Sequence, residues 1–121
     1  MNFNADKYDN YTIIKIGDEK VDTTIAPELK SEFMTLSQEG TKSLIIDMSE
    51  VKYMDSSGLS ALLVGNRSFT VNGAFVLYNV TDHVMKLIKI SQIDKVMTIV
   101  PSKEEAVDYI FMSEIEKGAE K

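Results

Sequence analysis

Two adjacent hydroxyls, Ser56 and Ser57, preceded by Asp55 and followed by Gly58 and Leu59, are the side chains of this chain best placed for chemistry. Before them, Ser43-Leu44-Ile45-Ile46-Asp47-Met48 is a short branched apolar run of the kind that makes a covered parallel strand. After them, Leu59, Leu62, Leu63 and Phe69 recur at helical spacing, with Gly73 as the expected helix C-cap. The serines therefore fall where a helix begins. Unpaired backbone amides and the positive end of the helix dipole favour side-chain oxygens there, and would also favour a phosphate carried on one of them. Taken alone, Asp55-Ser56-Ser57-Gly58 reads more simply as a helix N-cap with a permissive glycine.

Catalysis of other kinds lacks its usual residues. A serine hydrolase needs a base and a nucleophile elbow, but there is no G-x-S-x-G, and the one histidine, His83, is expected as a surface or capping residue at a helix start. Neither a Walker loop nor a glycine-rich dinucleotide turn occurs. Asp47, at a strand end, reads as a hydrogen-bonded structural carboxylate. With no cysteine there is no disulfide framework and no thiolate metal site, as suits a cytosolic protein. The expectation is a chain with no catalytic residue, metal or cofactor. A formal net charge of -6 with dispersed Lys and Arg argues against a nucleic-acid surface, so a charged partner would present a basic face. The start has no charged segment followed by an apolar one, and no later run approaches membrane-spanning length. A cytoplasmic protein without membrane insertion is expected.

The scaffold follows from periodicity. At 121 residues, 44% hydrophobic and 26% charged, the chain suits a single domain over 1–121 with one core. Tyr11-Thr12-Ile13-Ile14-Lys15-Ile16 predicts a strand, paired antiparallel with 4–8 across the turn-prone Asp9-Asn10. Ala26, Leu29, Phe33 and Leu36 form a helical stripe, with Pro27 in its first turn and Gly40 at its end. The strand at 44–48 and the helix at 57–72 follow, Gly65 marking close packing against the sheet. Residues 74–78 predict a strand, Val84, Leu87 and Ile88 a short helix, and 97–100 the last strand. Ser102-Lys103-Glu104-Glu105 is a capping-box sequence for a final helix whose apolar side is Ala106, Val107, Ile110 and Phe111. Residues 113–121, with Glu114, Glu116, Lys117 and Lys121, read as a solvated tail beyond a core of 8–112. Met34, Met48 and Met85 read as core fillers. The alternation implies an α/β fold: a mostly parallel sheet of about four to five strands, an N-terminal antiparallel pair, about four helices and right-handed crossovers. Sites in such sheets gather at the carboxyl ends of strands, near which both Asp22 and Ser56 fall.

Asp55-Ser56-Ser57-Gly58-Leu59 after the apolar strand resembles the signature of STAS-domain proteins, specifically the small bacterial anti-sigma factor antagonists. Val21-Asp22-Thr23-Thr24-Ile25-Ala26-Pro27-Glu28-Leu29 is similar to that family's pattern leading into its first helix, with Asp22 lying 33 positions before Asp55. A looser match covers 84–93, so the resemblance spans 8–112. One departure is Glu19, where family members often carry glycine; here Gly17 stands two residues earlier. The resemblance implies phosphorylation at Ser56, ahead of Ser57, by a kinase-type anti-sigma factor that uses ATP and Mg²⁺, with a serine phosphatase resetting the switch. It further implies a partner-binding face of Asp22, Thr23, Thr24, Asp55, Ser56, Ser57, Gly58 and Leu59 on a monomer that sequesters the anti-sigma factor when unphosphorylated. Asp22 is equally readable as a turn or cap residue. STAS-like domains also serve as accessory subunits or adaptors of membrane transport systems, which is the alternative role.

Overall fold

A computed structural model describes residues 1–119. Strands β1 (Phe3–Lys7) and β2 (Thr12–Ile16) pair antiparallel, and the Tyr8 amide donates to the Tyr11 carbonyl at 2.8 Å to close the Asp9-Asn10 turn. Strands β4 (Leu44–Asp47), β6 (Phe75–Tyr78) and β7 (Thr98–Val100) continue from β2 in parallel, giving the order β1-β2-β4-β6-β7. This is the mixed, mostly parallel sheet the alternation predicted. Between β2 and β4 lies the two-residue strand β3 (Lys20–Val21), which pairs parallel with β5 (Tyr53–Met54) as a separate small sheet.

The twofold period of the central strands divides the interior. Ile14, Ile16, Leu44, Ile46, Phe75 and Leu77 face helices α1 (Ala26–Gln38), α2 (Ser56–Phe69) and α3 (Asp82–Ile90). Ile13, Ile45, Val76 and Tyr78 face the other way, under Ala106 and Ile110 of α4 (Lys103–Ala119). Burial on both faces explains why β4 and β6 are almost wholly apolar. Gly65 sits where α2 crosses α1 and β6; an added Cβ would lie 2.7 Å from Phe75 and 2.8 Å from Phe33. Gly40, at φ 96°, takes the left-handed conformation that ends α1.

Several local expectations change. Helix α2 ends at Phe69 with Thr70 as its C-cap, so Gly73 is not the cap. Gly73 lies against the Lys42 carbonyl, and any side chain there would collide with that backbone. Met34 is 56% exposed, one position off the inward stripe of Leu29, Phe33 and Leu36, whereas Met48 is buried and Met85 half-buried. Phe111 is 42% exposed, its ring edge-on to Tyr11, and only Ala106 and Ile110 of the predicted apolar side are fully buried. The Ser102 hydroxyl accepts from the Glu105 amide at 3.2 Å, but the Glu105 carboxylate turns to that hydroxyl rather than to the Ser102 amide. Residues 113–119 continue α4 instead of forming a tail. The Lys117 ammonium, which donates to the carbonyls of Thr70 and Gly73, anchors this last stretch to the α2–β6 connection. Lys121 lies outside the described residues.

Candidate functional site

The small β3–β5 sheet assembles the site. Its register pairs Lys20 with Tyr53 and Val21 with Met54, both strands pointing the same way, so Asp22 and Asp55 follow side by side at its carboxyl end. The Glu19 carbonyl holds the register from the other end, accepting from the amides of Lys52 at 2.8 Å and Tyr53 at 3.0 Å. Glu19, the departure from the pattern noted in the sequence, stands immediately before this strand pair. Asp22 and Ser56 thus follow carboxyl ends of strands, but of the small sheet and not of the five-stranded one.

Asp55 is the N-cap of α2. Its Oδ1 accepts from the Ser57 amide at 3.0 Å, the Gly58 amide at 3.1 Å and the Ser57 hydroxyl at 2.5 Å. These bonds, led by the Ser57 hydroxyl, hold the Asp55 carboxyl below the usual carboxylate range, with a smaller contribution from the Thr23 amide. Asp22 repeats the arrangement, its Oδ1 accepting from the Thr24 amide at 3.0 Å and the Thr24 hydroxyl at 2.6 Å. The Thr24 hydroxyl is the largest cause lowering the Asp22 pKa, and the nearby negative charge of Asp55 opposes it. Asp22 also starts α1 through its carbonyl, which accepts from the amides of Ile25 and Ala26. It is both a turn residue and a neighbour of Asp55.

Each aspartate thus accepts from the hydroxyl of the second residue after it and not from that of the first. Ser56 and Thr23 are exposed, while Ser57 is half-buried against Asp55. Asp22, Thr23, Thr24, Asp55, Ser56 and Ser57 are brought to one rim. Gly58 and Leu59 are not part of it: both are buried, Leu59 in the core and Gly58 against Val21 and Met54, so they support the rim from beneath. The amides of Ser57, Gly58 and Leu59 are already engaged by Asp55, so the start of α2 has fewer free donors for a phosphate than its sequence suggests.

Two further side chains extend this face. Tyr53, 44% exposed, stacks on His83 at the start of α3, with ring centroids 5.9 Å apart and planes inclined by 23°. The Thr81 hydroxyl ties that end of α3 to the Val51 carbonyl at 2.7 Å. His83 is a surface residue, as expected, but its partner Tyr53 had no signal beyond an aromatic residue in a two-residue strand. Among the described residues, no cluster of three or more His, Cys, Asp or Glu side chains could hold a metal ion, and no helix is long and apolar enough to cross a membrane.

Comparison with known proteins agrees with this architecture. The chain is 29% identical over 101 residues to the anti-sigma-B factor antagonist of Staphylococcus aureus, covering 82% of this chain and 92% of that one. It is 37% identical over 67 residues to the protein of the same name from Staphylococcus epidermidis, covering 54% of this chain and 60% of that one. The crystal structure of an anti-sigma factor antagonist from Mycobacterium paratuberculosis superposes with a TM-score of 0.81 at 18% identity, over 90% of this chain and 92% of that one. The STAS domain profile matches residues 2–106, and the chain belongs to the STAS domain family.

Proposed function

We propose that this chain is an anti-sigma factor antagonist whose partner binding is switched by phosphorylation of Ser56. The observation that carries the reading is the division of labour between the two serines. The Ser57 hydroxyl is held by Asp55 at 2.5 Å, whereas the Ser56 side chain stands exposed at the start of α2. The similarity to antagonists of the sigma-B system favours this role over that of a transport adaptor.

The partner is a kinase-type anti-sigma factor carrying ATP and Mg²⁺. Unmodified, the rim of Asp22, Thr23, Thr24, Asp55 and Ser56 docks on it, the Ser56 hydroxyl still free to hydrogen-bond across the contact. In the switching step, Ser56 Oγ attacks the γ-phosphorus of ATP, its proton passes to a base on the kinase, and ADP leaves. The ester adds about 1.5 to 2 negative charges near neutral pH. Asp22 and Asp55 are already ionised there, and the nearest helix amides are occupied, so the phosphate faces outward with little local compensation. Burying it against a surface shaped for a hydroxyl costs on the order of several kcal/mol, and each roughly 1.4 kcal/mol is tenfold in affinity. The effect falls on binding and leaves the fold intact. A serine phosphatase restores the hydroxyl by hydrolysis. The chain acts as a cytoplasmic monomer with no cofactor of its own.

Capture from source-organism cytosol with wild type, Ser56→Ala and Ser56→Asp as baits tests the proposal. An ATP-binding anti-sigma factor retained by the alanine bait and lost from the aspartate bait is expected. Equal retention of transporter subunits by all three baits, or no such kinase on any, would overturn it.

A further inference from the structure

We infer that the docking surface for the anti-sigma factor continues from the rim onto the outer face of the small sheet, with Tyr53 as its aromatic anchor and His83 as the residue that holds that ring in place; the inference rests on the partner-switch reading above. Strands β3 and β5 turn Val21 and Met54 inward, where both are buried, and leave Lys20 and Tyr53, opposite each other in the register, on the exposed side. Asp55 keeps an extended backbone, φ -107° and ψ -173°, so the chain runs on from β5 to the start of α2 without turning away. Tyr53 therefore shares a side with Asp55, two residues on, and precedes Ser56 by three. The aromatic face and the rim form one continuous surface.

Tyr53 combines exposure with fixed position. It is 44% exposed, yet it stacks on His83 with centroids 5.9 Å apart and planes inclined by 23°, so part of the ring is already held while the rest is open to a partner. The Thr81 hydroxyl, bonded to the Val51 carbonyl at 2.7 Å, ties the start of α3 to the segment entering β5 and keeps His83 beside the ring. A ring held this way loses little conformational freedom on binding and offers a large apolar area, which is the character of interface hot spots. Around it stand Lys20 and the exposed Lys52–Glu19 ion pair, N···O 3.5 Å, a polar border of the kind that surrounds such anchors. The matching element on the anti-sigma factor is an apolar pocket for the Tyr53 ring, next to the surface that receives the Ser56 hydroxyl. Tyr8 supplies the contrast: it is 48% exposed and stacks on Tyr11 at 4.9 Å, but it sits in the β1–β2 turn, at the opposite end of β2 from the rim.

The test is calorimetric titration of the anti-sigma factor captured by the wild type, together with the rate of Ser56 phosphorylation as a function of substrate concentration, for wild type, Tyr53→Ala, Tyr53→Phe, His83→Ala and Tyr8→Ala. Thermal melting by circular dichroism is the folding control. Tyr53→Ala should bind at least about tenfold more weakly and raise KM in proportion while kcat holds, because the ring docks the substrate and takes no part in the transfer. Tyr53→Phe keeps the ring and should restore most of the affinity. His83→Ala frees the ring and should weaken binding about two- to fivefold. Tyr8→Ala should bind as the wild type does. Should Tyr53→Ala melt below the wild type, His83→Ala, which leaves the small sheet untouched, decides. Wild-type affinity in both Tyr53→Ala and His83→Ala, an equal loss in Tyr8→Ala, or a fall in kcat at unchanged KM would overturn the anchor while the partner switch stands. If the wild type captures no ATP-binding anti-sigma factor, both fail.

Discussion

Replacing Gly58 by alanine puts a methyl group where the start of α2 meets the small sheet. The added Cβ would lie 2.6 Å from the Val21 carbonyl oxygen and 2.6 Å from Met54 Cγ, against 3.4 Å or more for ordinary contact. Met54 can turn its side chain, but the Val21 carbonyl belongs to the β3–β5 ladder and accepts from the Asp55 amide. The backbone must therefore give by roughly 0.8 Å. Alanine in a helix gains up to about 1 kcal/mol over glycine, while overpacking of this kind costs about 1 to 3 kcal/mol. A net loss of about 1 to 2 kcal/mol is expected, lowering the melting temperature of a domain this size by about 3 to 8 °C. The displacement also falls on Val21 and Met54, from which Asp22 and Asp55 hang, so capture of the partner should weaken by more than the folded fraction alone accounts for. Gly118→Ala is the control, since nothing lies within 4 Å of its added Cβ. Thermal melting of both variants checks the reasoning. A Gly58→Ala protein as stable as wild type, with Gly118→Ala unchanged, would show that the close approach of α2 to the small sheet is wrong.

Asp55→Ala removes the cap of α2 and should lower the midpoint of urea unfolding, with Asp55→Asn retaining much of the wild-type midpoint because its side-chain oxygen still accepts. Asp22 and Asp55 both have lowered pKa values, so their contribution is complete above the unfolded carboxylate value of 3.8 and is lost as pH falls through the lowered folded values. The double variant Asp22→Asn, Asp55→Asn should flatten this acid limb. Burial and the neighbouring Asp47 raise Tyr78 from 10.0 to about 12, so its contribution is complete below 10.0 and fades as pH rises through about 12. Tyr78→Phe should flatten that alkaline limb, followed by unfolding midpoints at a series of pH values. Ser57→Ala should cost about 0.5 to 1.5 kcal/mol through its lost bond to Asp55, yet leave phosphate incorporation at Ser56 intact by mass spectrometry.

The main sheet was legible because β2, β4 and β6 are branched apolar runs whose residues alternate between two covered faces. The small sheet was not, since Lys20-Val21 and Tyr53-Met54 are too short to show a period and their pairing joins segments 33 residues apart. The Asp55-Ser56-Ser57 segment could be read as a helix start with two hydroxyls, but which hydroxyl Asp55 binds depends on side-chain conformation. Leu59 was placed on the partner face by its place in a motif; its position on the helix turns it into the core. Gly73 resembled a helix cap by spacing, and its actual constraint, the Lys42 backbone, comes from a distant segment. The final helix was cut short because Glu114, Glu116 and Lys117 looked like a charged tail, although charged residues are good helix formers and Lys117 is anchored by carbonyls that sequence does not place nearby.

The most direct test of the central claim is calorimetric titration of the captured anti-sigma factor with this chain in two forms, unmodified and homogeneously phosphorylated at Ser56, with an amide NMR spectrum of each. Tight binding by the unmodified form, at least about a hundredfold weaker binding by the phosphorylated one, and spectra that differ only around the β3–β5 rim are predicted. Equal affinities, or a phosphorylated form whose spectrum changes throughout the sheet, would contradict the account.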